Sequence, residues 1–217
     1  MLVAVLLPAA LSWAAQTWER EGNYHFLAKN SKDHFSAKGA GPNKFPGKYL
    51  TYDKIKFLVR APANREDYGR LDLCGNKNFS IPVPAGSRVD EVHFLAGGSY
   101  GNNYNDDPLL KLYGENYYYS VISVLFVYED GSFRSLSVPV FWDWFHLGRR
   151  EWSGDGAKIK GLGNNPVRKD CSMYHLSFNN PYPEKPLRSI LVSDSWLRDF
   201  PFSDVFALTV KSGDKLE

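Results

Sequence analysis

No lysine or arginine run interrupts this sequence, and no long hydrophobic stretch follows its first 15 residues. The 26 basic and 24 acidic residues leave a formal net charge of +2. That balance is too even to argue for nucleic acid or for an anionic membrane surface as a partner. Cysteine is scarce: Cys74 and Cys171 lie far apart and form no C-x-x-C motif. In an exported protein they are candidates for one long-range disulfide; as buried free thiols they need no partner, and both readings stay open. Helical periodicity is almost missing beyond the first ~20 residues, which argues against a helical fold. No internal repeat is present.

What the chain does have is aromatic residues, 15% of its 217 positions, set in short runs between Gly, Pro and Asn. Such a chain buries a sizeable core and suits one large β domain or two small ones. Residues 1–15, MLVAVLLPAALSWAA, are apolar but shorter than the ~20 residues a bilayer span takes. Ser12-Trp13-Ala14 places small residues where a signal peptidase reads them. No basic residue precedes Arg20, so the positive end of a secretory signal is missing. We expect an export signal, hence a secreted or periplasmic protein with no membrane span; the alternative is a buried N-terminal helix. Residues 16–48 read as an irregular lead, and residues 49–217 as one β domain.

Strands are expected at Lys54–Val59, Phe79–Val83, Val89–Ala96, Tyr117–Tyr128, Ser135–Val140, Met173–Phe178, Ser189–Val192 and Val205–Val210. Along Val89–Ala96 the alternation puts Val92, Phe94 and Ala96 on one face and Glu91, His93 and Leu95 on the other. Tyr117–Tyr128 is apolar on both faces and so should be central. Glu129-Asp130-Gly131-Ser132 carries the Asp-Gly hairpin signal between two β-rich runs. Many short strands separated by turn signals indicate an all-β sandwich or barrel. Two segments, 97–116 and 141–170, read as long loops of the kind that often carry function.

Few motifs in those loops carry chemistry. Gly97-Gly98-Ser99-Tyr100-Gly101 fits G-x-S-x-G, but no helix or βαβ pattern follows, so chance explains it best. Asn102 to Asp107 offers the oxygen ligands of a structural Ca²⁺ but lacks EF-hand spacing, and an Asx-rich turn is the simpler reading. No other cofactor is expected. His25, His34, His93, His146 and His175 show no zinc spacing; His93 and His175 fall in strands and read as satisfied sheet residues. No carboxylate pair stands out as a glycosidase requires, and Asp143 beside Trp142 and Trp144 is the most suggestive single residue.

Ser177-Phe178-Asn179-Asn180-Pro181-Tyr182-Pro183-Glu184-Lys185-Pro186-Leu187-Arg188-Ser189-Ile190 resembles the N-P-x-P segment near the end of galactose-binding-like β-sandwich domains of exported bacterial carbohydrate-active proteins. Phe79–Pro84, Val92–Leu95, and Tyr128–Ser132 with Val138-Pro139-Val140 and Asp143-Trp144 resemble further family stretches in the same order. The likeness covers roughly residues 49–210. It implies a jelly-roll sandwich and a non-catalytic role with a glycan or polysaccharide as partner. Trp144 then belongs to the core. Trp142 and the polar insert at Asn102 depart from the family pattern. The expected ligand site is a floor of Trp142 and Trp152 with Asn102, Asn103 and Asp106 as polar partners, since sugar sites combine an apolar floor with a few polar groups. The alternative is a small secreted polysaccharide lyase or glycoside hydrolase on the same scaffold.

Overall fold

The computed structural model describes residues 17–28, 49–58, 71–72, 78–99, 118–141, 151–164, 172–196, 202–214 and 216. Within them the chain is all-β. The strands are β1 (Thr17–Glu21), β2 (Tyr24–Ala28), β3 (Tyr49–Tyr52), β4 (Ile55–Leu58), β5 (Leu71–Asp72), β6 (Asn78–Pro82) and β7 (Glu91–Ser99). They continue as β8 (Tyr118–Tyr128), β9 (Phe133–Phe141), β10 (Glu151–Gly154), β11 (Ala157–Asn164), β12 (Ser172–Asn179), β13 (Leu187–Trp196) and β14 (Phe202–Lys211).

All pairings are antiparallel. The large sheet runs β1-β2-β14-β7-β12-β11-β10, with β5 added beside β14. The small sheet runs β6-β13-β8-β9, so β8 is interior as its two-faced apolar pattern requires. The two sheets face each other across one core, as in a β-sandwich. Val92, Phe94, Ala96, Ile159, Leu176, Phe178 and Val210 come from the large sheet. Ile81, Ile122, Val124, Phe126, Val138, Ile190 and Val192 come from the small one. Strict alternation along β7 and β8 produces this, because successive side chains of a strand leave by opposite faces.

The Asp-Gly hairpin between β8 and β9 forms as read. Gly131 has φ 82°, which glycine adopts without a Cβ penalty. Tyr128 N–H donates to Ser132 O at 2.9 Å, and Asp130 Oδ1 accepts from Ser132 N at 2.8 Å. The Asn180-Pro181-Tyr182-Pro183 segment is a knot between the sheets. Tyr128 Oη donates to Asn180 Oδ1 at 2.6 Å, and Asn180 Nδ2 donates to Val89 O at 2.8 Å. Burial pushes the Tyr128 hydroxyl up to about 12, so it remains a donor throughout the physiological range.

Three expectations are corrected. Residues 16–48 are not irregular throughout: β1 and β2 form a hairpin in residues 17–28 that extends the large sheet through β14. The 141–170 segment is not one loop, because Asp155-Gly156 turns β10 back on β11 and Gly156 takes φ 74°. Ser99 ends a continuous strand, since Gly97, Gly98 and Ser99 all belong to β7.

Candidate functional site

The outer face of the large sheet is only partly bare. Hairpin β3–β4 lies across it and makes a third layer. Ile55 and Phe57 of β4 pack with Leu95 of β7 and Ala207 of β14, flanked by Tyr24, Leu50, Tyr52 and Leu162. Phe57 is fully buried there. Leu95 can serve this layer because its neighbours Phe94 and Ala96 turn the other way.

The hairpin turns through Asp53 and Lys54, both at positive φ (50° and 67°). Two non-glycine residues in this region carry backbone strain, which Asp tolerates better than Lys. The turn is held by its side chain. Asp53 Oδ1 accepts from Lys160 Nζ at 2.5 Å, and Asp53 Oδ2 lies 3.4 Å from His175 Nδ1. Partial burial pushes the Asp53 carboxyl up, but the hydrogen bonds from Lys160 and His175 outweigh it and its pKa falls below the usual carboxylate value. The hydrogen bond to Asp53 likewise raises the Lys160 pKa.

Beneath the turn, His93 and His175 are both buried, at 3% and 8% exposure. His93 Nδ1 and His175 Nε2 are 3.1 Å apart. Phe57 sets its ring edge-on to His175. His93 Nε2 lies 3.2 Å from Glu91 Oε2, and Lys211 Nζ donates to Glu91 Oε1 at 2.5 Å. The Glu91 contact falls short of a directed hydrogen bond. The His93 contact, opposed by burial and joined by Lys211, holds the Glu91 carboxyl down at about 2. Burial first, then the charge of His93, brings His175 down to about 4.

Beside this cluster a groove of about 370 Å³ opens over β10, β11 and β12, bounded by Asp53, Glu151, Ser153, Lys158, Lys160, His175 and Ser177. The register explains its make-up. Glu151 pairs with Lys160 and Ser153 with Lys158, and across the next pair Lys158 meets Ser177 and Lys160 meets His175. Paired residues share a face, so these polar side chains converge on the outer side. Lys160 sits between Asp53 at 2.5 Å and Glu151 at 3.7 Å.

Trp152 edges the groove. It pairs with Ile159 and is half-buried against the two-sheet core. Its indole covers Gly154 so closely that a Cβ there would meet its ring at 2.4 Å. Trp142, Asn102, Asn103, Asp106, Cys74 and Cys171 lie outside the described residues, as do Asp143, Trp144 and His146. The groove residues were not legible as a site, because their only sequence signal is polar alternation in short strands. His93 and His175 were placed in strands correctly, but nothing in their spacing tells that β7 and β12 are neighbours.

Among the described residues, no group of three or more His, Cys, Asp or Glu side chains is arranged to hold a metal ion. Nor is any helix there long and apolar enough to cross a membrane. Comparison with family models, with curated proteins and with solved structures gives no match for this chain.

Proposed function

We propose that this chain is a non-catalytic carbohydrate-binding or accessory domain of an exported polysaccharide-acting system, with a galactose-binding-like jelly-roll topology. The observation that carries the reading is the groove over β10–β12. Its volume falls in the range of small-ligand sites, and its lining mixes carboxylate, ammonium and hydroxyl groups on rigid strands. Such a set donates to and accepts from sugar hydroxyls at the same time. Its charges largely cancel: Lys160 is held by Asp53 and Glu151, which favours a neutral glycan over a polyanion. A phosphate or sulfate ligand would want converging cations free of carboxylates.

The alternative, a polysaccharide lyase or glycoside hydrolase, rests on His175 at the groove edge. A base must offer a lone pair to the substrate. Here both nitrogens of His175 are engaged, Nδ1 by Asp53 and Nε2 by His93. That engagement supports binding rather than catalysis.

The test is a glycan array with neutral and acidic glycans, followed by calorimetry on the positives and a reducing-sugar release assay. Retention of neutral glycans is expected, with no sugar released. Lys158→Ala and Ser177→Ala should each weaken binding several-fold with the fold intact, since each removes one polar partner worth about 1 kcal/mol. Glycan binding unaffected by both variants would move the ligand away from this groove. Sugar release on any positive would favour the enzyme.

A further inference from the structure

Asp53, His175, His93 and Glu91 form a single line of three contacts: 3.4 Å, 3.1 Å and 3.2 Å. The hydrogens on that line follow from counting. An ionised carboxylate only accepts, so His175 Nδ1, which faces Asp53, carries a hydrogen. The central contact is a hydrogen bond only while one of its two facing nitrogens keeps a lone pair. With a hydrogen on both, two N–H groups face each other across 3.1 Å.

We propose that these residues are a proton-operated latch: while the His93–His175 contact keeps a lone pair, hairpin β3–β4 is held closed over the large sheet, and a proton that takes that lone pair releases it. The proton comes from solvent and binds at the central contact. It turns that hydrogen bond into a repulsion between two facing N–H groups of rings whose centroids are 5.3 Å apart. Every element packed around the pair has a defined charge. The hairpin turn presents Asp53, and β11 presents Lys160, which already occupies that carboxylate. β7 presents Glu91, and β14 presents Lys211, which likewise occupies Glu91. Lys56 of β4 is turned to Glu21 at 2.5 Å, and β12 adds only Ser177. Tyr52 of β3 and Tyr24 of β2 belong to the apolar cluster of this layer. His25 pairs with Val210, a residue of the two-sheet core, and so lies on the opposite face. β10 presents Glu151, which Lys160 holds at 3.7 Å, and β11 also presents Lys158 along the groove.

Release is local by construction. The hairpin is held by Asp53 at its turn, by Phe57 in the small apolar cluster and by Thr209 Oγ1 donating to Lys56 O at 2.7 Å. The two-sheet core lies on the other side of the large sheet and does not involve it. The pH window follows from His175, whose folded pKa of about 4 lies below its ordinary 6.5. A histidine depressed in this way favours the closed form fully above 6.5 and loses that contribution as pH falls toward 4. Asp53 and Glu91 stay ionised across that interval, because both are held below the ordinary carboxylate values.

Amide hydrogen exchange on the full chain between pH 7 and pH 4, corrected for intrinsic rates, tests the latch. Protection in residues 49–58 should fall about tenfold or more across the window, the size of one unit of linkage. Protection in β8 and β13 should hold. His175→Gln keeps a polar amide but cannot take the proton, and should flatten the profile of residues 49–58. Asp53→Asn removes a carboxylate that favours protonated His175, so the pH at which protection falls should move lower, while the overall protection of residues 49–58 drops with the lost Lys160 bridge. Equal loss in both sheets, an unchanged profile in His175→Gln, or no shift in Asp53→Asn would each overturn the proposal. Should His175→Gln fail to fold, the Asp53→Asn shift decides alone.

Discussion

At the scale of the residue, Asn180 ties three separate stretches of chain together. Its Oδ1 accepts from Tyr128 Oη and from Tyr182 N–H, and its Nδ2 donates to Val89 O. Asn180→Ala orphans a buried hydroxyl and a carbonyl, and orphaned buried groups cost about 1–3 kcal/mol each. Urea denaturation should show a loss of about 3 kcal/mol, with Tyr128→Phe costing about 1 kcal/mol. Asn180 was visible in the sequence as part of an N-P-x-P stretch, but not its role, because its three partners come from positions 89, 128 and 182. Trp152 was visible as an aromatic of interest and was read as a ligand floor. The structure places its ring against the core and over Gly154, its same-face neighbour two residues on along β10. Trp152→Ala should therefore lower the melting temperature as well as any binding. Gly154→Val should do the same without touching the groove's polar groups, because its Cβ meets the indole at 2.4 Å.

At the scale of the element, legibility depended on turn chemistry. The β8–β9 hairpin announced itself through Asp130-Gly131 and two apolar flanks. The β10–β11 hairpin carries the same Asp-Gly signal at 155–156, yet its strands, EWSG and AKIKGLGN, are half polar and glycine-bearing, so the segment read as loop. The β3–β4 hairpin turns through Asp53-Lys54 without glycine, and its strain is offset only by long-range partners on β11 and β12 that no local window contains. The layer it forms is small, which makes one side chain decisive. Phe57 is 0% exposed among Ile55, Leu95 and Ala207. Phe57→Ala should cost about 3–5 kcal/mol of hairpin closure as a buried aromatic truncation. Exchange of residues 49–58 should approach that of exposed loops in this variant, while β8 and β13 keep most of their protection.

At the scale of the whole molecule, the all-β class was legible because it needs only the absence of a 3.6-residue period and the presence of many alternating runs. What was hidden is that the large sheet serves two cores, one per face. That follows from which strands become neighbours, and β7 is separated from β14 by about half the chain. The two-core arrangement predicts a stability profile with separate acid steps. His175, depressed to about 4, stabilises the fold above 6.5 and withdraws that contribution as pH falls toward 4. Asp53, Asp130 and Glu91 are carboxylates with lowered pKa, so their contribution is present above their ordinary values of 3.8 to 4.5 and is lost below. Lys160 and Lys211 are raised, so theirs is present below the ordinary 10.5 and is lost as pH rises beyond it. Melting temperature measured against pH should therefore be level from about 7 to 10 and decline modestly toward pH 4 as the hairpin layer loosens. A steeper fall should follow below pH 4, when the paired carboxylates take up protons and leave Lys160, Lys211 and Lys185 without their partners. His175→Gln should remove the first decline and leave the second. A single acid transition, unchanged by that variant, would mean that the two faces of the large sheet unfold as one.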